Sequence, residues 1–276
     1  MHVVILNASF RERGNSELLS KLIFKKIQNN GYESGEIINL RDYKLQQCNG
    51  CMRCIFKNER CPLPDDFYSL MEKIVKADAF FLIAPTYVTT IPGSLKLFMD
   101  KYLLMPSYFE KLYSKPAVSI GVASPIDWFS FQLPLMNMFL LGLGFKIIDS
   151  FLILGAGPGE VLLEKDSLSR LDYAIKKLCS SSFQSKEYTE QILNHCPVCF
   201  SSLFERIDQE RIRCPVCHSQ AEWRKEGFIF SKQSVKNHRW TKENIEDHFR
   251  NWILRTKELF RKNLPEIIRQ KKKFGL

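Results

Sequence analysis

Eight of the nine cysteines in this 276-residue chain fall into two compact sets whose spacing suits metal chemistry. Cys48, Cys51, Cys54 and Cys61 read C-x2-C-x2-C-x6-C within CNGCMRCIFKNERC. Spacing this tight can wrap four thiolates around a cubane [4Fe–4S] cluster, whose ligands must converge on one small object. A tetrahedral zinc also takes four thiolates, although they usually arrive as two separated knuckles. A thiol redox role without iron is a third use. Cys196, Cys199, Cys214 and Cys217 form two CPVC knuckles fourteen residues apart. Two such knuckles across a short hairpin make a four-thiolate metal site. Rubredoxin-type iron sites favour glycine after the second cysteine, where backbone N–H groups must reach the sulfurs. Phe200 and His218 stand there instead, so structural zinc is expected over iron, contributing much of the module's folding energy. His195 and His218 read as bystanders, and Cys179 as a core residue.

Such sites need a scaffold, and the chain is long enough for one sizeable α/β domain plus a smaller module. Strands are expected at Val3–Asn7, Glu36–Leu40, Ala79–Ala84, Ala117–Ala123 and Phe145–Leu154. Helices are expected at Ser16–Asn29, Asp66–Val75, Gly93–Leu104, Trp128–Leu143 and Asp166–Cys179. Regular alternation of the two implies a parallel sheet covered on both faces. Five strands suit a doubly wound sheet of flavodoxin type, order 2-1-3-4-5, with ligands at the carboxyl ends of the strands. The texture changes after Ser180. The expected units are a domain over 1–183, a linker over 184–194, a four-cysteine ribbon over 195–232 and a helical segment over 233–276. Thr241 would cap the last helix, and Ile245, Phe249, Trp252, Ile253 and Phe260 would form one stripe packed back on the protein.

The chain opens on a strand with no signal-like series, and Leu133–Phe145 is too short to span a bilayer. A cytoplasmic protein with reduced thiols and no membrane contact is expected. The net charge is +10. It is concentrated from Lys186 onward, with 19 Lys+Arg against 12 Asp+Glu, but the charges are scattered among acids. That pattern reads as a solvated surface rather than a nucleic-acid footprint.

Two loops complete the pattern. After the first strand, NASFRERGNSELL places Ser9, Arg11, Asn15 and Ser16 before a helix N-terminus, with Gly14 allowing a tight turn. Backbone N–H groups at a helix start form an anion site that suits a phosphate; a polar turn capped by Ser16 is the plainer use. After the third strand, Pro85, Thr86, Tyr87 and Val88 could offer backbone amides and an aromatic edge to a flat heterocycle. GAGPGE at 155–160 mimics a dinucleotide fingerprint, but Glu160 occupies the third glycine position and no strand follows.

S-x-R-x-x-G-N-S followed by A-P-T-Y resembles the NAD(P)H-dependent FMN reductase family over roughly residues 1–180. The resemblance implies that Ser9, Arg11, Gly14, Asn15 and Ser16 serve the FMN phosphate. It puts Pro85, Thr86, Tyr87 and Val88 along the isoalloxazine, with Tyr87 only packing on it. Ala123 and Ser124 would approach the ring, but VASPIDWFS departs from the usual glycine-rich turn, and Asp127 and Trp128 would reshape the substrate side. The first four cysteines, with the Cys-Pro-x-Pro-Asp-Asp-Phe after them, are similar to the iron–sulfur flavoproteins. That similarity implies a [4Fe–4S] cluster near the flavin of a neighbouring subunit in a homodimer or larger oligomer. The expected activity is oxidoreduction, from NAD(P)H or a ferredoxin-like carrier through FMN to an unknown acceptor. The competing class is a redox-sensing or nucleic-acid-binding protein reading through the ribbon.

Overall fold

The computed structural model describes all residues except Glu33, Pro125, Ile126 and 180–187. The side chain of Cys179 and the expected boundary at 183/184 lie outside the described residues. The first half alternates β1 (Val3–Asn7), α1 (Asn15–Asn29), β2 (Gly35–Asn39), α2 (Arg53–Phe56), α3 (Phe67–Ile74), β3 (Ala79–Pro85) and α4 (Gly93–Met99). It continues with α5 (Pro106–Leu112), β4 (Pro116–Ala123), α6 (Gln132–Gly142), β5 (Lys146–Leu154) and α7 (Lys165–Cys179). The five strands pair in parallel in the order β2-β1-β3-β4-β5, as a doubly wound flavodoxin-like sheet. Their near-continuous apolar runs follow from burial on both faces. Side chains alternate across the sheet: Val4 and Leu6 join the core under α3, α4 and α6, while Val3 and Ile5 join the core under α1 and α7.

Helix ends account for most boundary differences. The helix expected over Gly93–Leu104 stops at Met99 and ends in a tight turn at Tyr102–Leu104. The one expected over Trp128–Leu143 starts only at Gln132. The short helices α2 and α5 were not expected; four and seven residues are too few to show a helical period.

The second half forms an antiparallel sheet from β6 (Ile192–Leu193), β7 (Glu205–Arg206), β8 (Arg211–Arg213), β9 (Gln220–Arg224) and β10 (Gly227–Phe230), in the order β6-β10-β9-β8-β7. Residues read as linker thus supply its edge strand, with Ile192 and Leu193 pairing with β10. Then come α8 (Lys232–Lys236), α9 (Lys242–His248), a π-turn over Phe249–Ile253 and α10 (Thr256–Lys273). Thr241 does cap α9, its Oγ1 accepting from Asn244 N at 3.2 Å. The single apolar stripe is not realised. Ile245, Phe249 and Ile253 wall a cavity of about 730 Å³ against Met105, Pro106 and Phe109. Trp252 and Phe260 are more than half exposed. The π-turn inserts extra residues per turn, so positions beyond it rotate away from the face set by α9.

The ribbon is seated on the first domain. Asn137 in α6 donates from Nδ2 to Cys199 O at 2.7 Å, inside a buried network with Ser119 and Ser150. Lys242 and Glu110 pair at 2.6 Å across the same junction. Among the described residues no helix is long and apolar enough to cross a membrane.

Candidate functional site

The loops after β1, β3, β4 and β5 meet at the carboxyl edge of the sheet. Backbone hydrogen bonds extend the ladder there, with Ala8 N to Ile83 O, Thr86 N to Val122 O and Gly155 N to Ala123 O, each 2.8 Å. In the first loop Asn7 Oδ1 accepts from Ser9 N at 3.0 Å, and Ser9 Oγ accepts from Arg11 N at 3.2 Å. These bonds bend the chain over the start of α1. The left-handed residue of this turn is Arg13, at φ 53°, rather than Gly14. A Cβ at Gly14 would lie 3.1 Å from the exposed Arg11 side chain, which would have to shift slightly.

Gly14 is also the N-cap of α1, which has no side-chain cap, so its first N–H groups face outward as donors. Ser16 is therefore in the first turn, not the capping residue. Arg11 stands exposed beside this end, and Ser9, nearly buried, keeps its own O–H for donation. Uncapped N–H groups, a hydroxyl and a guanidinium are the donor set that a phosphate needs. Asn15 has another task. Its Nδ2 donates to Gly155 O and Gly157 O, both at 3.0 Å, and its Oδ1 accepts from Gly159 N at 2.7 Å. The amide staples the 155–160 turn against α1, which explains why a glycine-rich segment sits here without a dinucleotide unit around it.

Glu17, absent from the sequence reading, sits in the first turn of α1. Its carboxylate takes Lys21 at 2.7 Å and Arg41 at 3.0 Å, and accepts from Arg13 N at 3.0 Å. Hydrogen bonding from Lys21, then from Arg13 N–H and Arg41, brings its pKa down to about 2 against the opposing effect of burial. The acid beside the anion site is thus neutralised by its own partners.

In the second loop Tyr87 and Thr90 exchange backbone hydrogen bonds at 3.0 and 3.1 Å, closing a two-residue turn. Val88 and Thr89 occupy it with φ 47° and 65°. Branched side chains rarely adopt that region, and such strain concentrates where a loop serves a ligand. The turn leaves Tyr87 and Val88 exposed, as are Trp128 and Phe131 in the loop after β4 and Phe10 in the first loop. Phe131 N donates to Thr89 O at 3.0 Å. Thr86 points inward, its Oγ1 donating to Gln132 Oε1, while Gln132 Nε2 donates to Ala84 O at 2.7 Å. Gln132 is fully buried and was missed; a lone amide opening the apolar run QLPLMNMFLL was its only signal. Ala123 is buried and Ser124 exposed. Polar donors at the start of α1 and exposed apolar side chains on the adjoining loops are the kinds of group that a flat ring carrying a phosphate needs.

Cys196, Cys199, Cys214 and Cys217 are fully buried, with their sulfurs all within 4.8 Å of one another. A tetrahedral ion with bonds of about 2.3 Å holds its sulfurs roughly 3.8 Å apart. The pairs Cys196–Cys217 and Cys199–Cys214, each at 3.3 Å, bracket that value from below. The two knuckles repeat one geometry: Phe200 N and His218 N each donate 2.8 Å to the first cysteine's carbonyl, and Cys196 N and Cys214 N donate 2.9 Å to Ser201 O and Ser219 O. Phe200 and His218 are left-handed, at φ 57° and 64°, so both knuckles adopt the glycine-type turn without glycine. Burial pushes the Cys196 thiol up and hydrogen bonding does the same to Cys199, while hydrogen bonds from these sulfurs hold Cys214 and Cys217 low. A bound cation is what would keep all four as thiolates.

Cys48, Cys51, Cys54 and Cys61 line one small cavity with Leu63, Leu103, Leu104 and Lys101. Burial raises the Cys54 thiol, and Cys61, Cys51 and Cys48 push it the same way, so the four act on one another as near neighbours. A polynuclear cluster would need all four thiolates to converge on one such cavity.

Residues 1–158 match the model of the NADPH-dependent FMN reductase family. The chain is 26% identical to flavone synthase cfoJ of Aspergillus candidus over 58% of its own length and 57% of that protein. It is 35% identical to an iron–sulfur flavoprotein of Archaeoglobus fulgidus over 37% of its own length and 48% of that protein. The match thus spans about half the length of these curated relatives. A solved flavone reductase superposes with a TM-score of 0.67 at 16% identity, covering 98% of this chain and 92% of that one, a likeness of fold that extends through the ribbon. With more than half of its residues under the family model, and the sheet and loops of that half arranged as described, the chain belongs to the NADPH-dependent FMN reductase family.

Proposed function

We propose that the protein is an FMN-dependent oxidoreductase that takes electrons from NAD(P)H or a reduced carrier and passes them to an acceptor by way of the four-thiol loop. The observation that carries this reading is the uncapped N-terminus of α1 with Arg11 and Ser9 over it, beside the strained Tyr87–Thr90 turn. Arg11, Ser9, Ser16 and the first N–H groups of α1 would hold the phosphate. Pro85 to Val88, with Ala123 and Ser124, would border the ring, and Asn15 would fix the neighbouring turn. When bound, FMN supplies hydride and single-electron transfer. The protein's residues position it, and no His, Lys or carboxylate is needed there as an acid or base. Cys48, Cys51, Cys54 and Cys61 would hold a [4Fe–4S] cluster, and the ribbon quartet a structural zinc. The left-handed Phe200 and His218 weaken the argument against iron at the ribbon, so sulfur spacing admits either metal and analysis must decide.

Purified chain should be yellow, with FMN, iron, acid-labile sulfide and zinc in stoichiometric amounts. Colourless protein with no measurable affinity for FMN after reconstitution would refute the assignment. The nucleic-acid reading gains no support from the ribbon surface. There Arg213 and Arg211 are paired with Glu205 and Asp208 at 2.6 Å, and Arg224 with Glu222.

A further inference from the structure

Among the described residues Lys101 is the one lysine in the set of largest fully buried side chains, and it lies in the wall of the cavity lined by Cys48, Cys51, Cys54 and Cys61. It follows α4, the helix whose other end begins just after the Tyr87–Thr90 turn. Its Nζ is 2.7 Å from Asp65 Oδ2, and both side chains are only 1% exposed. That ion pair engages one side of the ammonium, and no further hydrogen-bond acceptor for its other donors is present among the described residues. Asp65 has its own partners: it accepts from Gln46 N at 3.0 Å and Phe67 N at 3.2 Å, on either flank of the cysteine loop. Burying an ammonium is costly unless anions and acceptors satisfy it, and one carboxylate leaves part of its three-donor capacity open. The remaining anions at this cavity would be the four thiolates.

We propose that Lys101 is the buried counter-charge of the four-thiol loop, raising the reduction potential of the cluster bound there, with Asp65 moderating the effect. This rests on the cluster reading above. One-electron reduction adds a negative charge to an already anionic group, with no bond broken. A cation held nearby in a low-dielectric wall stabilises the reduced form more than the oxidised one, and an N–H···S hydrogen bond acts in the same direction.

The test is a mediated redox titration of the holoprotein followed by EPR, preceded by iron and sulfide analysis. Lys101→Met should shift the reduction equilibrium at least tenfold toward the oxidised cluster, about 59 mV for one electron. Lys101→Arg should retain most of the wild-type value, and Asp65→Asn should shift it the opposite way. Wild-type potentials in all three variants at full iron content would overturn the proposal, as would shifts of the same sign in Lys101→Met and Asp65→Asn. If Lys101→Met fails to retain iron, Asp65→Asn decides by the sign of its shift. Wild-type protein without iron and sulfide would instead refute the cluster reading itself, and this inference with it.

Discussion

Cys196, Cys199, Cys214 and Cys217 are all fully buried, whereas Cys51 is exposed and Cys48, Cys54 and Cys61 are half-buried. The ribbon knuckles come from distant stretches of chain brought together by a hairpin, and each is locked by the same pair of backbone hydrogen bonds. The first quartet draws its closeness from sequence adjacency. Only one of its turns resembles a ribbon knuckle, with Met52 left-handed at φ 57° after Cys51 and Cys51 N held by Asn49 Oδ1 at 3.2 Å. Sulfurs packed to single-ion distance in a dry core make a site on which folding depends. A looser ring on an edge loop, walled by a buried cation, makes a site that a fold can carry without depending on it. On the proposed reading, the same residue type would serve structure in one place and redox work in the other.

The largest expected effect breaks the ribbon. Cys214→Ser should lose the bound metal and unfold residues 192–230, because binding energies on the order of 10 kcal/mol are folding energy in such modules. Metal content and hydrogen exchange across β8–β10 would show it; retained metal with unchanged protection would contradict the structural role. Cys54→Ser is the matching cut in the loop. It should abolish iron-based visible absorbance while moving the thermal midpoint by only about 2–4 °C, as expected for roughly 1 kcal/mol in a chain of this size. A midpoint drop as large as that of Cys214→Ser would erase the contrast.

Arg11→Ala should weaken FMN binding about tenfold or more, the worth of a charge-assisted hydrogen bond, while leaving the metal content of both quartets unchanged. Flavin fluorescence quenching measures it, and an unaltered dissociation constant would remove Arg11 from the site. The smallest effect concerns Glu17. Its folded pKa of about 2 lies below the ordinary value of 4.5, so its contribution is present above pH 4.5 and lost as pH falls toward 2. The difference in urea midpoint between wild type and Glu17→Gln should shrink over that window; a constant difference would show that the ionised carboxylate is not what stabilises.

Much of the fold could be read before the structure was known, for reasons specific to its residues. The order of the parallel sheet followed from five apolar runs alternating with helical periods, and the ribbon from two identical CPVC knuckles. Asn15 misled because its type suits a phosphate equally well as a loop staple, and only the position of Gly155–Gly159 distinguishes the two. Gln132 and Lys101 were illegible because their partners, Ala84 and Asp65, lie 48 and 36 positions away. The terminal stripe failed at a π-turn, which leaves no mark in a hydrophobic pattern.

Periodicity and cysteine spacing are local properties, and they sufficed for the doubly wound sheet and the two four-thiol motifs. The tertiary structure decided how near the sulfurs come, which donors remain unspent and where a buried charge ends up. Those depend on chain segments far apart in sequence, where burial makes each unpaired donor or charge costly enough to select its partner.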